Sequence, residues 1–204
     1  MKGHGYGSVL GSMNVDYTED FDTWEQCSFR KLPNKLRNFL NTAHGQWDHH
    51  WRNTLALSEP NDADEIVPGL WLGDIDSARK MPMFHKYGEM AVLNMAKEIN
   101  DEQICHPTVL IKIGIYDGTV ANVGVFDKAA DVLHSAMEHR VAILVHCAAG
   151  ISRSATAVIA YLMKHGKLPF NQALSLVRSK RPVANPHPHL IRSLIRDLGQ
   201  NFNP

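Results

Sequence analysis

The 204-residue sequence lacks the features that would direct it out of the cell or into a membrane. Its three cysteines, Cys27, Cys105 and Cys147, form no closely spaced even set, so a disulfide-stapled secreted domain is not expected. It has no run of about 18 apolar residues, and residues 1–14 contain no apolar stretch of signal-peptide length. We therefore expect reduced thiols, no membrane partner and a cytoplasmic or nuclear setting.

An excess of charge of either sign is also missing, because Lys plus Arg and Asp plus Glu each number 21. No overall field favours nucleic acid, so we expect no nucleic-acid partner, and recognition of an anion has to be local. With 44% hydrophobic residues, the chain is long enough to bury a core of its own.

The clearest change of character along the chain is the polar stretch at residues 58–65, which contains Pro60. It divides the chain into an accessory extension, residues 1–58, and a main domain, residues 59–204. Within the extension, residues 29–40 predict an amphipathic helix whose apolar stripe is Leu32, Leu36, Phe39 and Leu40. That stripe has to pack on the main domain, on a second copy of the chain in a homodimer, or on a partner protein.

After the boundary, short apolar runs alternate with helical patterns. The runs at residues 70–72, 91–95, 109–115 and 142–145 predict buried strands, and apolar residues recur at helical spacing over 125–137, 158–163, 171–179 and 190–198. This alternation predicts an α/β fold with a central, mostly parallel sheet flanked by helices.

The stretch between the last predicted strand and the helix after it carries the chemistry. It reads Val145-His146-Cys147-Ala148-Ala149-Gly150-Ile151-Ser152-Arg153-Ser154. A loop that turns from a strand end into a helix start points several backbone N–H groups inward, and the helix dipole adds positive potential there. The result is a cradle for a phosphate-sized anion, and the same potential favours the thiolate form of Cys147, a nucleophile at neutral pH.

Two other residues of this stretch suit an anion site. The planar guanidinium of Arg153 can hold two phosphate oxygens at once, which a lysine cannot do. Gly150 allows the backbone to approach the anion closely. A cysteine after an apolar strand is more often a small buried residue, but a glycine-containing loop that ends in Arg and Ser favours catalysis.

The run from His146 to Met163 closely resembles the signature of dual-specificity protein tyrosine phosphatases. Residues 65–73 resemble the opening strand of that family, and residues 179–184 resemble its late helix-to-loop turn. The resemblance covers about residues 64–202, whereas residues 1–58 have no counterpart, as in a compact, atypical member. It implies a protein tyrosine phosphatase-like fold.

The resemblance also implies roles for single residues. Cys147 is the nucleophile, Arg153 the phosphate clamp, and Ser154 donates a hydrogen bond to the sulfur, which makes it a better leaving group. His146 orders the loop and tunes the thiolate rather than acting as a base. The phosphate-binding N–H groups belong to Ala148, Ala149, Gly150, Ile151, Ser152 and Arg153.

The leaving oxygen needs a proton from a carboxylic acid on another loop. Asp117 follows the strand at 109–115, where the family places its general acid, although an Asp before Gly118 is also typical of a turn. Asp101 is the next candidate.

Other polar residues leave alternatives open. The sequence Asn185-Pro186-His187-Pro188-His189 departs from the Ser-Pro-Asn of many relatives, which puts contacts between that loop and the cradle in doubt. His187 and His189 lack nearby Cys or carboxylate partners, so we expect no metal and no cofactor. The basic residues Arg178, Lys180 and Arg181 either attract an acidic substrate or complement a helix dipole. Cys27 and Cys105 are either resolving thiols or inert.

The leading hypothesis is a protein phosphatase that acts on phosphotyrosine and phosphoserine/phosphothreonine of a phosphorylated protein. The cradle contains no lysine, whereas related phosphoinositide phosphatases often carry basic residues there. RNA 5′-phosphate and glucan phosphate are further alternatives for the same chemistry. A pseudophosphatase that binds phosphoproteins as a scaffold is the alternative of a different class.

Overall fold

The structure is a computed structural model that describes residues 13–16, 63–84, 90–104 and 109–199. A six-stranded sheet forms its centre. The strands are β1 (Met13–Asp16), β2 (Ala63–Val67), β3 (Leu70–Gly73), β4 (Met90–Ala96), β5 (Val109–Ile115) and β6 (Ala142–His146). They lie in the order β1-β5-β4-β6-β3-β2, and every neighbouring pair is parallel except β2 with β3. The predicted α/β fold with a mostly parallel sheet is confirmed.

Five α-helices accompany these strands in the described part of the chain. They are α1 (Ile75–Phe84), α2 (Val125–Glu138), α3 (Arg153–Lys164), α4 (Phe170–Lys180) and α5 (Pro188–Leu198), and a 3-10 turn covers Asp101–Gln103. Each of the four predicted strands and four predicted helices is present, with ends that differ by a few residues. The largest difference is the start of α3, which begins at Arg153 rather than at the apolar stripe.

Strands β3 to β6 are buried on both faces of the sheet, which is why they consist of nearly continuous apolar residues. On β6, Ile143 and Val145 point into the larger core, beneath α2 to α5, while Ala142 and Leu144 point into a smaller core on the opposite face. Successive residues of a strand face opposite sides of a sheet, so both sides of β6 have to be apolar.

Two regions differ from the sequence prediction. Residues 65–73 are not one strand, because Gly69, at φ 87°, turns the chain between the antiparallel strands β2 and β3. Helix α1 has no counterpart in the prediction. The predicted helix at residues 29–40 lies outside the described residues, while Met13–Asp16, in the same extension, pairs as a parallel edge strand with β5.

Candidate active site

The predicted cradle lies at the carboxyl edge of the parallel strands, where α/β sheets commonly bind ligands. Cys147 follows β6 directly and is 1% exposed, and Arg153 is the first residue of α3. Gly150 lies between them at φ 65°, in the left-handed region that favours glycine. Among the described residues, no hydrogen bond is donated by a backbone N–H of residues 148–153. These N–H groups are therefore available to an anion above Cys147.

Two of the candidate site residues, Ser154 and His146, lie beside the thiol. The Ser154 hydroxyl donates to the Cys147 sulfur over 3.2 Å. The ring of His146 is fully buried, and its Nδ1 lies 3.2 Å from the carbonyl oxygen of Cys147. Burial lowers the pKa of His146 to about 4, although this hydrogen bond and the nearby Asp74 carboxylate act in the opposite direction. The imidazole is therefore neutral at pH 7 and donates its Nδ1–H to the loop.

Two hydrogen bonds, both donated by the terminal nitrogen Nη1, orient the Arg153 guanidinium. Its Nη1 donates to the Glu98 carboxylate over 2.7 Å and to the carbonyl oxygen of Ile115 over 3.1 Å. Its Nε is buried and has no hydrogen-bond partner within the described ranges. Because a buried donor without a partner is costly, this N–H is suited to bind an acceptor that arrives with the substrate.

Asp117 lies beside the same guanidinium. Its Oδ2 is 3.8 Å from Arg153 Nε, its Oδ1 accepts from the N–H of Gly118 over 2.9 Å, and its side chain is 49% exposed. The other acid candidate, Asp101, has a side chain that is 9% exposed, accepts from Asn94 Nδ2 over 2.8 Å and lies 3.7 Å from Lys112 Nζ. Asp117 therefore reaches the cradle, whereas Asp101 belongs to a buried polar cluster.

Arg181 supports the cradle from beneath. Its Nε donates to the carbonyl oxygen of Gly150 over 2.8 Å, while its Nη1 donates to Asp64 over 2.7 Å. The sequence left two interpretations of the basic residues at the end of α4, attraction of an acidic substrate or an interaction with the helix dipole. Arg181 is 4% exposed, so the first interpretation does not apply to it. Instead, it fixes the Gly150 carbonyl away from the face that the N–H groups present.

The loop after α4 also contacts the cradle, which answers the doubt raised by its unusual sequence. The N–H of Asn185 donates to the carbonyl oxygen of Ile151 over 2.8 Å, and the N–H of His187 donates to the Ser152 hydroxyl over 3.1 Å. Both donors are backbone groups, so the contacts do not depend on which side chains the loop carries.

The histidines of this loop, His187 and His189, are the residues whose ability to bind a metal the sequence raises. The rings of His187 and His189 stack with centroids 5.1 Å apart. The described residues contain no group of three or more His, Cys, Asp or Glu side chains that could hold a metal ion. Cys27 and Cys105, the candidate resolving thiols, lie outside the described residues.

Helix α5 holds the loop of residues 116–124, which carries Asp117. The Ser193 hydroxyl accepts from the N–H of Ala121 over 3.1 Å, and Arg196 Nη2 donates to the carbonyl oxygens of Ala121 and Asn122 over 3.0 and 3.1 Å. Asp197 then accepts from the N–H of Phe126, at the start of α2, over 3.1 Å. The position of Asp117 therefore depends on a helix more than 70 residues later in the chain.

Sequence reasoning missed Glu98, Ser193 and Arg196, and it did not assign a structural role to Arg181. Polar residues of these kinds occur throughout any surface, and nothing in their neighbouring sequence marks them. A family motif names the residues around the nucleophile but gives no signal for partners supplied by distant segments.

Comparisons with known proteins agree with the geometry. Residues 70–197 match the family model for the dual specificity phosphatase catalytic domain. The chain is 35% identical over 140 residues to dual specificity protein phosphatase 1 of Arabidopsis thaliana, a match that covers 67% of this chain and 69% of that protein. It is 34% identical over 146 residues to MAP kinase phosphatase with leucine-rich repeats protein 3 of Dictyostelium discoideum, covering 70% of this chain but 16% of the other.

Solved structures show the same fold. The crystal structure of human DUSP28 superposes with a TM-score of 0.59 at 24% identity, over 70% of this chain and 95% of that one. In the described part of the chain, no helix has the length and apolar character needed to cross a bilayer.

Proposed function

The chain belongs to the dual specificity phosphatase family. On that premise we propose that it hydrolyses phosphotyrosine and phosphoserine/phosphothreonine through a cysteinyl phosphate on Cys147. The observation that supports the proposal is that the buried Cys147 thiol is followed by residues 148–153, whose backbone N–H groups donate no hydrogen bond among the described residues, and by the Arg153 Nε–H, which has no partner there either. These are a nucleophile and the donors that a transferring phosphoryl group requires.

In the first step, the Cys147 thiolate attacks phosphorus, an S–P bond forms and the P–O bond to the substrate side chain breaks. The N–H groups of the cradle and the Arg153 guanidinium stabilise the three non-bridging oxygens, where charge is spread in the transition state. Asp117 gives its proton to the departing oxygen, so the product leaves as a neutral phenol or alcohol.

In the second step, water attacks the cysteinyl phosphate, and the Asp117 carboxylate takes the proton that the water loses. The S–P bond breaks and the thiolate is the leaving group. Ser154, which donates to the sulfur over 3.2 Å, stabilises the negative charge that returns to it. His146 acts as a positioning residue in both steps, since its neutral ring donates to the Cys147 carbonyl and cannot lend positive charge at pH 7.

The deciding experiment compares the wild-type chain with Cys147→Ser on para-nitrophenyl phosphate, with and without vanadate. The serine hydroxyl stays protonated in the cradle, so turnover should vanish while binding of a phosphotyrosine peptide, measured by calorimetry, persists. Arg153→Lys should also lose most turnover, because a point charge cannot make the bidentate contact. Turnover by Cys147→Ser close to that of the wild type would refute the assignment.

The alternative of a different class is a scaffold that binds phosphoproteins without hydrolysing them. A wild-type chain that binds the phosphopeptide but releases no phosphate from any substrate would favour it. The retention of Cys147, Arg153 and Asp117 in one cluster supports the enzyme instead.

The substrate class is tested with a panel of phosphopeptides, a phosphoinositide, an RNA with a 5′-phosphate and a glucan phosphate. We expect the phosphopeptides to give the highest kcat/KM, because the cradle contains no lysine and so offers polyanions no attraction beyond that of Arg153. A thiolate nucleophile also has to stay reduced, which supports the cytoplasm or the nucleus as its compartment.

A further inference from the structure

The exposed apolar side chains of the described residues are not scattered. Five large hydrophobic residues in that part of the chain are exposed, and all five lie on loops at the same edge of the sheet. They are Tyr116 (56% exposed), Val120 (58%), Val123 (71%), Ile151 (38%) and Val183 (56%). Single exposed apolar residues need no explanation, but a set confined to one place commonly marks a binding surface.

Close contacts join the three segments that carry these residues. The 116–124 loop reaches the cradle through Asp117 and Arg153, which are 3.8 Å apart. The 181–187 loop reaches it through the hydrogen bond from Asn185 to Ile151. A Cβ added at Gly118 would lie 3.8 Å from the His187 ring, so the two outer loops also approach each other. The apolar residues therefore stand around the entrance to Cys147.

The stretch of the entrance from Ala148 to Ile151 carries no charged side chain. Ala148 and Ala149 are exposed and carry only methyl groups, and Ile151 is the large side chain of this stretch. The nearby cation Lys97 lies over the Tyr116 ring, with Nζ 5.4 Å from the ring centroid, and this contact orients the ring. A phosphorylated residue that reaches Cys147 brings its neighbours in the substrate onto this surface.

We propose that Tyr116, Val120, Ile151 and Val183 form an apolar rim that selects phosphorylated protein segments with apolar side chains next to the phosphorylated residue. The inference rests on the proposed function and adds the substrate class to it. The preference for apolar neighbours arises from burial of apolar area, because more than half of the surface of Val120 and of Val183 is exposed and can be covered by the substrate. Covering half a valine side chain changes binding by about fivefold.

The test uses two phosphotyrosine peptides of equal length and charge, one with Leu or Val on both sides of the phosphotyrosine and one with Ser. The readout is the ratio of their kcat/KM values, which cancels errors in the amount of active enzyme. We expect the wild-type ratio to exceed about tenfold, and Val183→Ser and Val120→Ser each to lower it by about fivefold. Gln172→Ser, exposed at the opposite end of α4 from the 181–187 loop, is the matched control and should keep the wild-type ratio.

If the two peptides have nearly equal kcat/KM values with the wild-type chain, or if neither valine variant lowers their ratio, the proposed apolar rim is refuted. Light scattering is run on the same samples: if Val183→Ser changes the oligomeric mass and leaves the ratio intact, the surface serves a second copy of the chain and the proposal is wrong. A wild-type chain that hydrolyses neither peptide nor para-nitrophenyl phosphate would instead refute the proposed function, so the two failures are distinguishable.

Discussion

Replacement of Gly150 by Ala tests whether the cradle depends on a close approach of two backbones. A Cβ at Gly150 would lie 2.6 Å from the carbonyl oxygen of Gly73 and 2.6 Å from Arg181 Nη2. Gly199 provides a matched control, because its φ is 60° against 65° at Gly150 but no atom of the described residues lies within 4 Å of its added Cβ. Both substitutions place an alanine in the left-handed conformation, and only Gly150→Ala also creates a steric clash.

The expected losses of folding free energy follow from the left-handed conformation and from the steric clash. A left-handed alanine costs about 1–2 kcal/mol, and the less flexible unfolded chain offsets about 0.4–1 kcal/mol of it, so Gly199→Ala should lose about 1 kcal/mol. In Gly150→Ala the chain also has to shift away from a backbone carbonyl and disturb the charged hydrogen bond from Arg181, which is worth about 1.5–3 kcal/mol. We expect a total loss of about 3 kcal/mol or more.

Thermal unfolding followed by circular dichroism measures the difference. For a chain of this size, 1 kcal/mol lowers Tm by about 2–4 °C, so the control should fall by that amount and Gly150→Ala by at least about 6 °C. Turnover of para-nitrophenyl phosphate, measured well below both transitions, should drop by about 10² in Gly150→Ala, since a loop displaced by about 1 Å loses that much. Equal losses of stability in the two variants, with turnover intact, would refute the reasoning.

Three further predictions concern other parts of the molecule. Arg196→Met removes two of the hydrogen bonds that hold the 116–124 loop on α5 and leaves the one to Ser193. Its kcat/KM should therefore fall more steeply with the pKa of the leaving phenol than that of Arg192→Met, an exposed neighbour on the same helix. Parallel plots for a series of aryl phosphates would contradict this. His146 binds a proton below about pH 4 when folded but near pH 6.5 when unfolded, so its contribution to stability rises from pH 4 to pH 6.5. Urea unfolding should show about 2 kcal/mol less stability at pH 5 than at pH 7, and His146→Asn should lack that component. Deletion of residues 1–58 removes the edge strand beside β5, so light scattering should detect self-association while activity on a small aryl phosphate persists; a folded, inactive truncation would show that this segment helps to build the site.

Strands and helices with a strong apolar pattern were predictable, while elements without one were not. The strands β4, β5 and β6 are buried on both faces, and burial of that kind forces apolar residues at nearly every position. Helix α1 contains Arg79, Lys80 and Pro82 and shows no clear apolar stripe, so periodicity gave no sign of it. The start of α3 was also hidden, because its first turn, Arg153-Ser154-Ala155, begins with two polar residues and contributes a single small one, Ala155, to the apolar core.

The boundary between residues 1–58 and residues 59–204 stays a prediction. The polar composition at residues 58–65 gives one reason for it, and the family resemblance that starts near residue 64 gives another. The pairing of Met13–Asp16 with β5 shows that part of the extension joins the sheet of the catalytic domain, although nothing in its composition suggested a strand. Edge strands form through backbone hydrogen bonds, which any side-chain sequence can make.

By itself, the sequence determined the chemistry that consecutive residues can carry. Cys147, the cradle and Arg153 lie within one turn from a strand into a helix, so local geometry alone brings together a thiol, a row of N–H donors and a cation. Only the tertiary structure decided what holds them in place. Arg153 donates a hydrogen bond to Glu98, which lies 55 residues earlier in the sequence. Arg181 donates to the carbonyl oxygen of Gly150, 31 residues earlier, and to Asp64, 117 residues earlier. Contacts of such separation form because packing of the sheet and helices brings the segments together, and no local pattern encodes them.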